Sequence, residues 1–151
     1  MRIAVISDTH GPVRPDILET LKSCNHIIHA GDIGSEEALK QLRALAPLTA
    51  IRGNVDCGPW AEKLPLTEAI ELKGKAFYIV HDIDLLDIDP EAAGFDVVVS
   101  GHSHKPDIER KGAVTYINPG SIGPRRFMLP IAYATITING ETLNAEIQKL
   151  D

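Results

Sequence analysis

The sequence predicts an α/β fold in which two sheets face one another with helices outside. Three observations predict it. Up to Ile51, short β-rich apolar runs alternate with helix-patterned stretches, the order that builds a mostly parallel sheet. Beyond Lys73, strand follows strand with hairpin turns between. Polar, ligand-type residues recur where the apolar runs stop, which in open α/β sheets is the rim that binds ligands. The 151 residues, 44% of them apolar and 24% charged, are of globular composition and suit one domain, expected over residues 1–151.

The elements follow in order. Ile3 to Ile6 is a short buried strand ended by Ser7-Asp8-Thr9-His10-Gly11. Arg14 to Ser23 has helical spacing, with Ile17, Leu18 and Leu21 on one face. Ile27 to Ala30 is a second buried strand, stopped by Gly31-Asp32. Ser35 is placed as the N-cap of a helix with Glu36 and Glu37 in its first turn, running through Leu39, Leu42 and Leu45 and ending before Pro47. Leu48 to Ile51 is a third strand, stopped by Arg52-Gly53-Asn54.

In the second half, Ala69 to Leu72 and Ala76 to Val80 flank the turn Lys73-Gly74-Lys75. Val97 to Val99 reads as buried. Ile108 to Arg110 and Val114 to Ile117 flank Lys111-Gly112, and Ala132 to Ile138 meets Asn139-Gly140 before Glu141 to Lys149 alternates back. Asp82 to Glu91 is expected to form a short amphipathic helix, its five acids on a solvated face.

Charge and cysteine usage exclude several classes. The formal charge is −6 and no basic arm or stripe is present, which argues against binding duplex nucleic acid. Two cysteines, Cys24 and Cys57, do not make a disulfide framework and are read as reduced thiols. The first apolar run reaches only from Ile3 to Ile6, too short for a signal-peptide core, and no run is long enough to cross a membrane, so a cytoplasmic protein is expected.

Five strands deliver seven ligand-type side chains to one rim: Asp8, His10, Asp32, Asn54, His81, His102 and His104. Asp8 and His10 are two apart, as are His102 and His104. If the chain is extended there, i and i+2 point to the same side and each pair clasps one site. Gly31, Gly53 and Gly101 each precede a ligand-type residue, where a missing Cβ lets backbone approach closely. Carboxylates, an amide oxygen and imidazoles without thiolate suit Mn²⁺, Fe, Ni²⁺ or Zn²⁺. Seven donors exceed one tetrahedral ion and fit two ions sharing a bridge. Each motif alone is an ordinary polar turn; the set in this order is what points to metal.

These residues resemble the calcineurin-like metallophosphoesterases, and most of all the small bacterial and archaeal phosphodiesterases among them. The motifs are Ser7-Asp8-Thr9-His10-Gly11, Ala30-Gly31-Asp32, Arg52-Gly53-Asn54-Val55-Asp56, His81, Gly101-His102-Ser103-His104 and Asn118-Pro119-Gly120-Ser121 followed by Pro124-Arg125. The resemblance implies a four-layer α-β-β-α sandwich of two mixed sheets. It implies two divalent ions, Mn²⁺ first: one held by Asp8, His10, Asp32 and His104, the other by Asp32, Asn54, His81 and His102, with Asp32 bridging. It implies hydrolysis of a small phosphodiester by a hydroxide formed at that dinuclear centre. Self-association as a dimer or tetramer is expected by the same likeness. Two alternatives stand beside this reading. One is a non-catalytic interaction scaffold like the retromer subunit of this fold; the other is a nuclease acting on short oligonucleotides.

Two positions depart from the family pattern. Val55 stands where many larger relatives carry a His that assists the leaving group, and Asp82 stands where relatives often have Gly. Asp56 is expected to orient His10 or another imidazole rather than to protonate a leaving group. His26 and His29 are read as hydrogen-bonded structural residues, Trp60 as loop packing, and Arg125 and Arg126 equally as phosphate contacts or surface charges.

Overall fold

The computed structural model describes residues 1–150. Its strands are β1 (Arg2–Ile6), β2 (His26–His29), β3 (Leu48–Ala50), β4 (Thr67–Leu72), β5 (Lys75–Val80), β6 (Val97–Val99), β7 (Asp107–Lys111), β8 (Val114–Asn118), β9 (Ala132–Asn139) and β10 (Thr142–Lys149). Its helices are α1 (Leu18–Ser23), α2 (Glu36–Leu45) and α3 (Pro59–Glu62). One five-stranded sheet has the order β10-β9-β1-β2-β3, the other β4-β5-β6-β8-β7. In the first, β1, β2 and β3 run parallel and β9 joins β1 antiparallel. In the second, β5, β6 and β8 are parallel, with β4 and β7 as antiparallel edges. Both sheets are mixed, as expected from the sequence.

The sheets face each other across a core drawn from both. Ile3, Val5, Ile28 and Ile136 from one sheet pack with Phe77, Ile79, Val97, Val99 and Ile117 from the other. The apolar runs of β1 and β6 are continuous because both faces of those central strands are covered. Outside the first sheet, Ile17 and Leu21 pack with Leu42 of α2 against Ala4, Ile6 and Ile27. Ser35 caps α2, its Oγ accepting from the Ala38 amide at 3.2 Å.

Three local features differ from the sequence expectation. The stretch from Arg14 opens as a 3₁₀ turn over Pro15–Ile17, with Pro15 pre-set for a helix start, before α1 begins. The short helix α3, opened by Pro59, was not expected; Trp60 on it packs near Ile33, Leu39 and Leu64. Asp82 to Glu91 forms no amphipathic helix. It makes one 3₁₀ turn, Ile83–Leu85, and the layer outside the second sheet is correspondingly thin. Asp82 Oδ1 caps that turn, accepting from the Asp84 amide at 3.0 Å. Pro90 then biases Asp89 away from helical backbone.

Among the described residues, no helix is long and apolar enough to cross a membrane. Cys24 is buried, Cys57 is exposed, and both are free thiols.

Candidate metal centre

The seven expected donors converge at the carboxyl ends of β1, β2, β3, β5 and β6. They fall into two groups, Asp8–His10–His104 and Asp32–His81–His102, with the ligating atoms of each group within 4.8 Å of one another. Asn54 joins the second group: its Oδ1 lies 2.9 Å from His81 Nε2 and 3.2 Å from His102 Nδ1. Asp32 Oδ2 lies between the groups, 3.2 Å from His81 Nε2 and 3.7 Å from His10 Nε2. The floor is buried (Asp8, Asp32, His81 and His104), while His102 and Asn54 form an exposed lip.

The extended-chain reason for the i, i+2 pairs does not hold. Asp8, His10, Asp32, His102 and His104 all have left-handed backbone, with φ of 58°, 51°, 58°, 69° and 62°. Such conformations cost about 1–3 kcal/mol each in non-glycine residues and persist where surrounding structure over-determines them. Asp8 and His10 nevertheless share one group, while His102 and His104 lie in different groups, as the family resemblance implies.

Paired loops supply the over-determination. Asp8, His10 and Gly11 donate their amides to the carbonyls of Gly31, Asp32 and Ile33 at 3.0, 3.0 and 2.9 Å, which locks the loop after β1 to the loop after β2. Across the sheet interface, the His102 amide donates to Asp8 Oδ2 at 3.1 Å; within the second sheet, the Gly101 amide donates to the His81 carbonyl at 2.9 Å. Two glycines are dictated by contact. A Cβ at Gly53 would strike the Asp32 backbone amide and carboxylate, and one at Gly101 would strike Ser7 Oγ.

The Asn118-Pro119-Gly120-Ser121 motif acts as a brace. Asn118 Nδ2 donates to the Gly101 carbonyl at 3.0 Å, and Ser121 Oγ donates to the Asp8 carbonyl at 3.1 Å. Asp56 does not orient an imidazole. Its carboxylate accepts from the amides of Ile33, Gly34 and Gly53 at 3.2, 2.9 and 2.9 Å, bolting the β2 and β3 loops together. Three backbone amides satisfy the one carboxylate, which leaves it no imidazole to orient.

His29 is fully buried and neutral. Its Nδ1 accepts from the Gly31 amide at 3.1 Å, so Nε2 carries the proton toward Thr9 Oγ1 at 3.1 Å, and Thr9 donates onward to the Ile33 carbonyl at 2.7 Å. Burial pushes its pKa down to about 4. His26 bonds Thr49 Oγ1 at 2.8 Å. Neither ring faces the two groups. Arg126 lies close enough for its charge to oppose protonation of His10, and Arg125 Nη1 donates to the Leu129 carbonyl at 3.3 Å.

The electrostatics of the donor set favour a cation. The Asp8 carboxyl is held well below the usual range: burial works against its charge, but contacts from His10, His104 and Ser7 outweigh that. Asp32 is lowered as well, burial being outweighed by His81 and the Val55 amide. The Asp8 carboxylate raises the pKa of His10. Burial opposes charge on His81, yet Asp32 and the Ala30 carbonyl raise it overall. His81 Nδ1–H donates to the Ala30 carbonyl at 2.7 Å, which turns the Nε2 lone pair toward Asp32 and Asn54, two oxygen acceptors. Asp8 Oδ1 is buried with no hydrogen-bond donor, although His104 Nε2 and His10 Nε2 stand 3.4 and 3.6 Å away. Lone pairs pointed at one another in a buried floor need a positive charge between them. Carboxylate, imidazole and amide oxygen are together a donor set for borderline divalent ions, so the residues fit a metal centre.

Two facing mixed sheets with an acid-and-imidazole rim are the frame of a metallophosphoesterase. The calcineurin-like phosphoesterase superfamily domain matches residues 1–141, and the chain belongs to that superfamily. It is 32% identical over 159 residues to a probable metallophosphoesterase of Methanothermobacter thermautotrophicus, covering 97% of this chain and 91% of that one. It is 29% identical over 143 residues to a phosphodiesterase of Methanocaldococcus jannaschii, covering 80% of this chain and 83% of that one. In fold it is similar to Vps29 of Entamoeba histolytica complexed with Zn²⁺, with a TM-score of 0.80, 22% identity and coverage of 100% and 99% of the two chains.

Proposed function

We propose that the chain is a divalent-metal-dependent phosphodiesterase. The observation that carries this is Asp8 Oδ1, a buried carboxylate oxygen ringed by imidazole nitrogens yet given no donor. In this reading Asp8, His10 and His104 hold one ion, and His81, His102 and Asn54 hold the other. Asp32 would serve both, and Mn²⁺ is the first ion to try. Two divalent ions bound there would supply Lewis acidity and a water acidified enough to attack phosphorus near neutral pH.

The chain's own residues do the rest. The Ala30 carbonyl fixes the His81 tautomer, and the amide of His102 holds the Asp8 carboxylate in place. Asp8 and Asp32 are the only anionic donors, so the loaded rim is cationic and draws a phosphodiester anion toward an otherwise acidic molecule. Val55 offers no proton, and Asp56 is committed to three amides. That loop therefore brings no acid to the leaving group, and diesters with acidic leaving groups, such as aryl esters, are expected to turn over fastest.

The test is metal-stripped protein reloaded with Mn²⁺ and assayed on an aryl phosphodiester. Two ions per chain and metal-dependent turnover are expected. Asp8→Asn and His104→Ala are each expected to lower turnover about a thousandfold, ~4 kcal/mol of barrier, with unchanged circular dichroism. Wild-type turnover in both variants overturns the assignment.

A non-catalytic interaction module is the second reading, favoured by Phe127 and Met128, which stand 85% and 93% exposed side by side. It requires that the metal-loaded protein turn over no phosphodiester at all.

A further inference from the structure

A cleft of about 570 Å³ opens beside the half of the rim that carries Asn54, His81 and His102. Its apolar wall includes Leu66, Tyr78 and Leu85. Leu66 and Leu85 are 62% and 72% exposed, so apolar surface stands in water next to the candidate centre. Covering it would recover hydrophobic free energy. The Tyr78 ring is held edge-on against Phe95 at 5.3 Å between centroids, which gives that wall a fixed shape. The polar groups of the cleft are few. Asp82 and Asp87 contribute carboxylates, and Arg52 is its one permanent cation. Arg52 Nε is buried and has no hydrogen-bond partner.

We propose that this cleft takes one ester arm of the phosphodiester, an apolar planar group that carries no further phosphate. The proposal rests on the phosphodiesterase reading above. Because Asn54 and His102 of the lip and His81 of the floor also line the cleft, an arm directed to that side of the phosphorus enters it directly. Its flat apolar face lies along Tyr78, Leu66 and Leu85. A second phosphate would meet the Asp82 and Asp87 carboxylates, two negative charges against one guanidinium. The cleft therefore selects against polynucleotides and for small diesters with an aromatic arm.

Diesters sharing a p-nitrophenolate leaving group and differing in the other arm test this. With the Mn²⁺-loaded protein, kcat/KM for a phenyl arm is expected to exceed that for a methyl arm about tenfold, equivalent to ~1.4 kcal/mol. A nucleoside arm bearing a second phosphate is expected to fall below the same nucleoside without it. Leu66→Ser combined with Leu85→Ser, both at exposed positions, is expected to bring the phenyl-to-methyl ratio toward one. Asp87→Asn is expected to narrow the discrimination against the second phosphate. A wild-type ratio near one, or a ratio that survives the double substitution, overturns the proposal. Calorimetric binding of phenylphosphonate against methylphosphonate reads the cleft without turnover: tighter phenyl binding supports it and equal affinity overturns it. Absence of turnover on every diester strikes the phosphodiesterase reading instead.

Discussion

Asp82 Oδ2 faces His102 Nε2 at 3.8 Å, on the far side of the ring from the Nδ1 that approaches Asn54. His102 is the exposed donor of the centre, with nearly half of its side chain open to water, so little packing holds its ring. A carboxylate behind an imidazole fixes ring orientation and strengthens the lone pair in front. Asp82→Ala is therefore expected to weaken binding of the ion on the Asp32–His81–His102 side about tenfold, with Asp82→Glu restoring part of it. Titration of the metal-stripped protein measures this without an assay of turnover. Unchanged affinity for both ions would show that the carboxylate plays no part in holding the ring.

Asp56 joins two loops through three backbone amides, and its carboxylate is nearly buried. Asp56→Ala leaves those amides without an acceptor and is expected to cost about 3–5 kcal/mol in urea unfolding. Asp56→Asn keeps an acceptor oxygen and is expected to lose less. A residue that protonated the leaving group would instead shift the pH–rate profile of the Asn variant, and no such shift is expected.

Gly53 touches the Asp32 amide and carboxylate. Gly53→Ala forces the two apart and moves the Asp32 carboxylate, which faces both donor groups. Loss of at least one bound ion per chain is expected, with the secondary structure retained. Two tightly bound ions in the variant would show that the loop absorbs the extra methyl group.

His29 gives stability a pH dependence of defined sign. Its folded pKa is about 4, below the ordinary histidine value of 6.5 that it regains on unfolding. The unfolded chain therefore takes up the proton first as pH falls. The contribution of the neutral ring is complete above about pH 6.5 and is lost progressively toward pH 4. Metal-stripped wild-type protein is expected to lose about 2 kcal/mol from this ring between pH 7 and pH 5. His29→Gln removes that share of the slope, which urea midpoints at the two pH values measure.

Much of the architecture is legible in the sequence because it is locally encoded. The short apolar runs of β1, β2 and β6 are buried strands, Ser35 caps α2, and Lys73-Gly74 turns the β4–β5 hairpin. The donors were found for a related reason: a polar residue that directly ends a buried strand has to lie at the sheet's rim. Asp82 to Glu91 misled because its mixed acids and aliphatics suggest a helix face, whereas the turn that Asp82 caps runs only over Ile83–Leu85 and Pro90 disfavours helical backbone at Asp89. Asp56 misled because two of its three amide partners, Ile33 and Gly34, come from a loop far away in the chain.

By itself, then, the sequence determined the order of the strands, the first two helices, the family, and which seven side chains stand at strand ends. How those seven divide, with His102 and His104 parted between two groups and Asp32 between them, is what the family resemblance implies; the tertiary structure supplied the distances, with Asp32 Oδ2 near His81 and His10. It alone turned five of the donor residues into left-handed backbone and opened an apolar cleft beside His102. The physical reason is that strand and turn propensities act over a few neighbouring residues. The distance from Asp8 to His104 is set instead by how two separate sheets pack and by the hydrogen bonds that lock their end loops together.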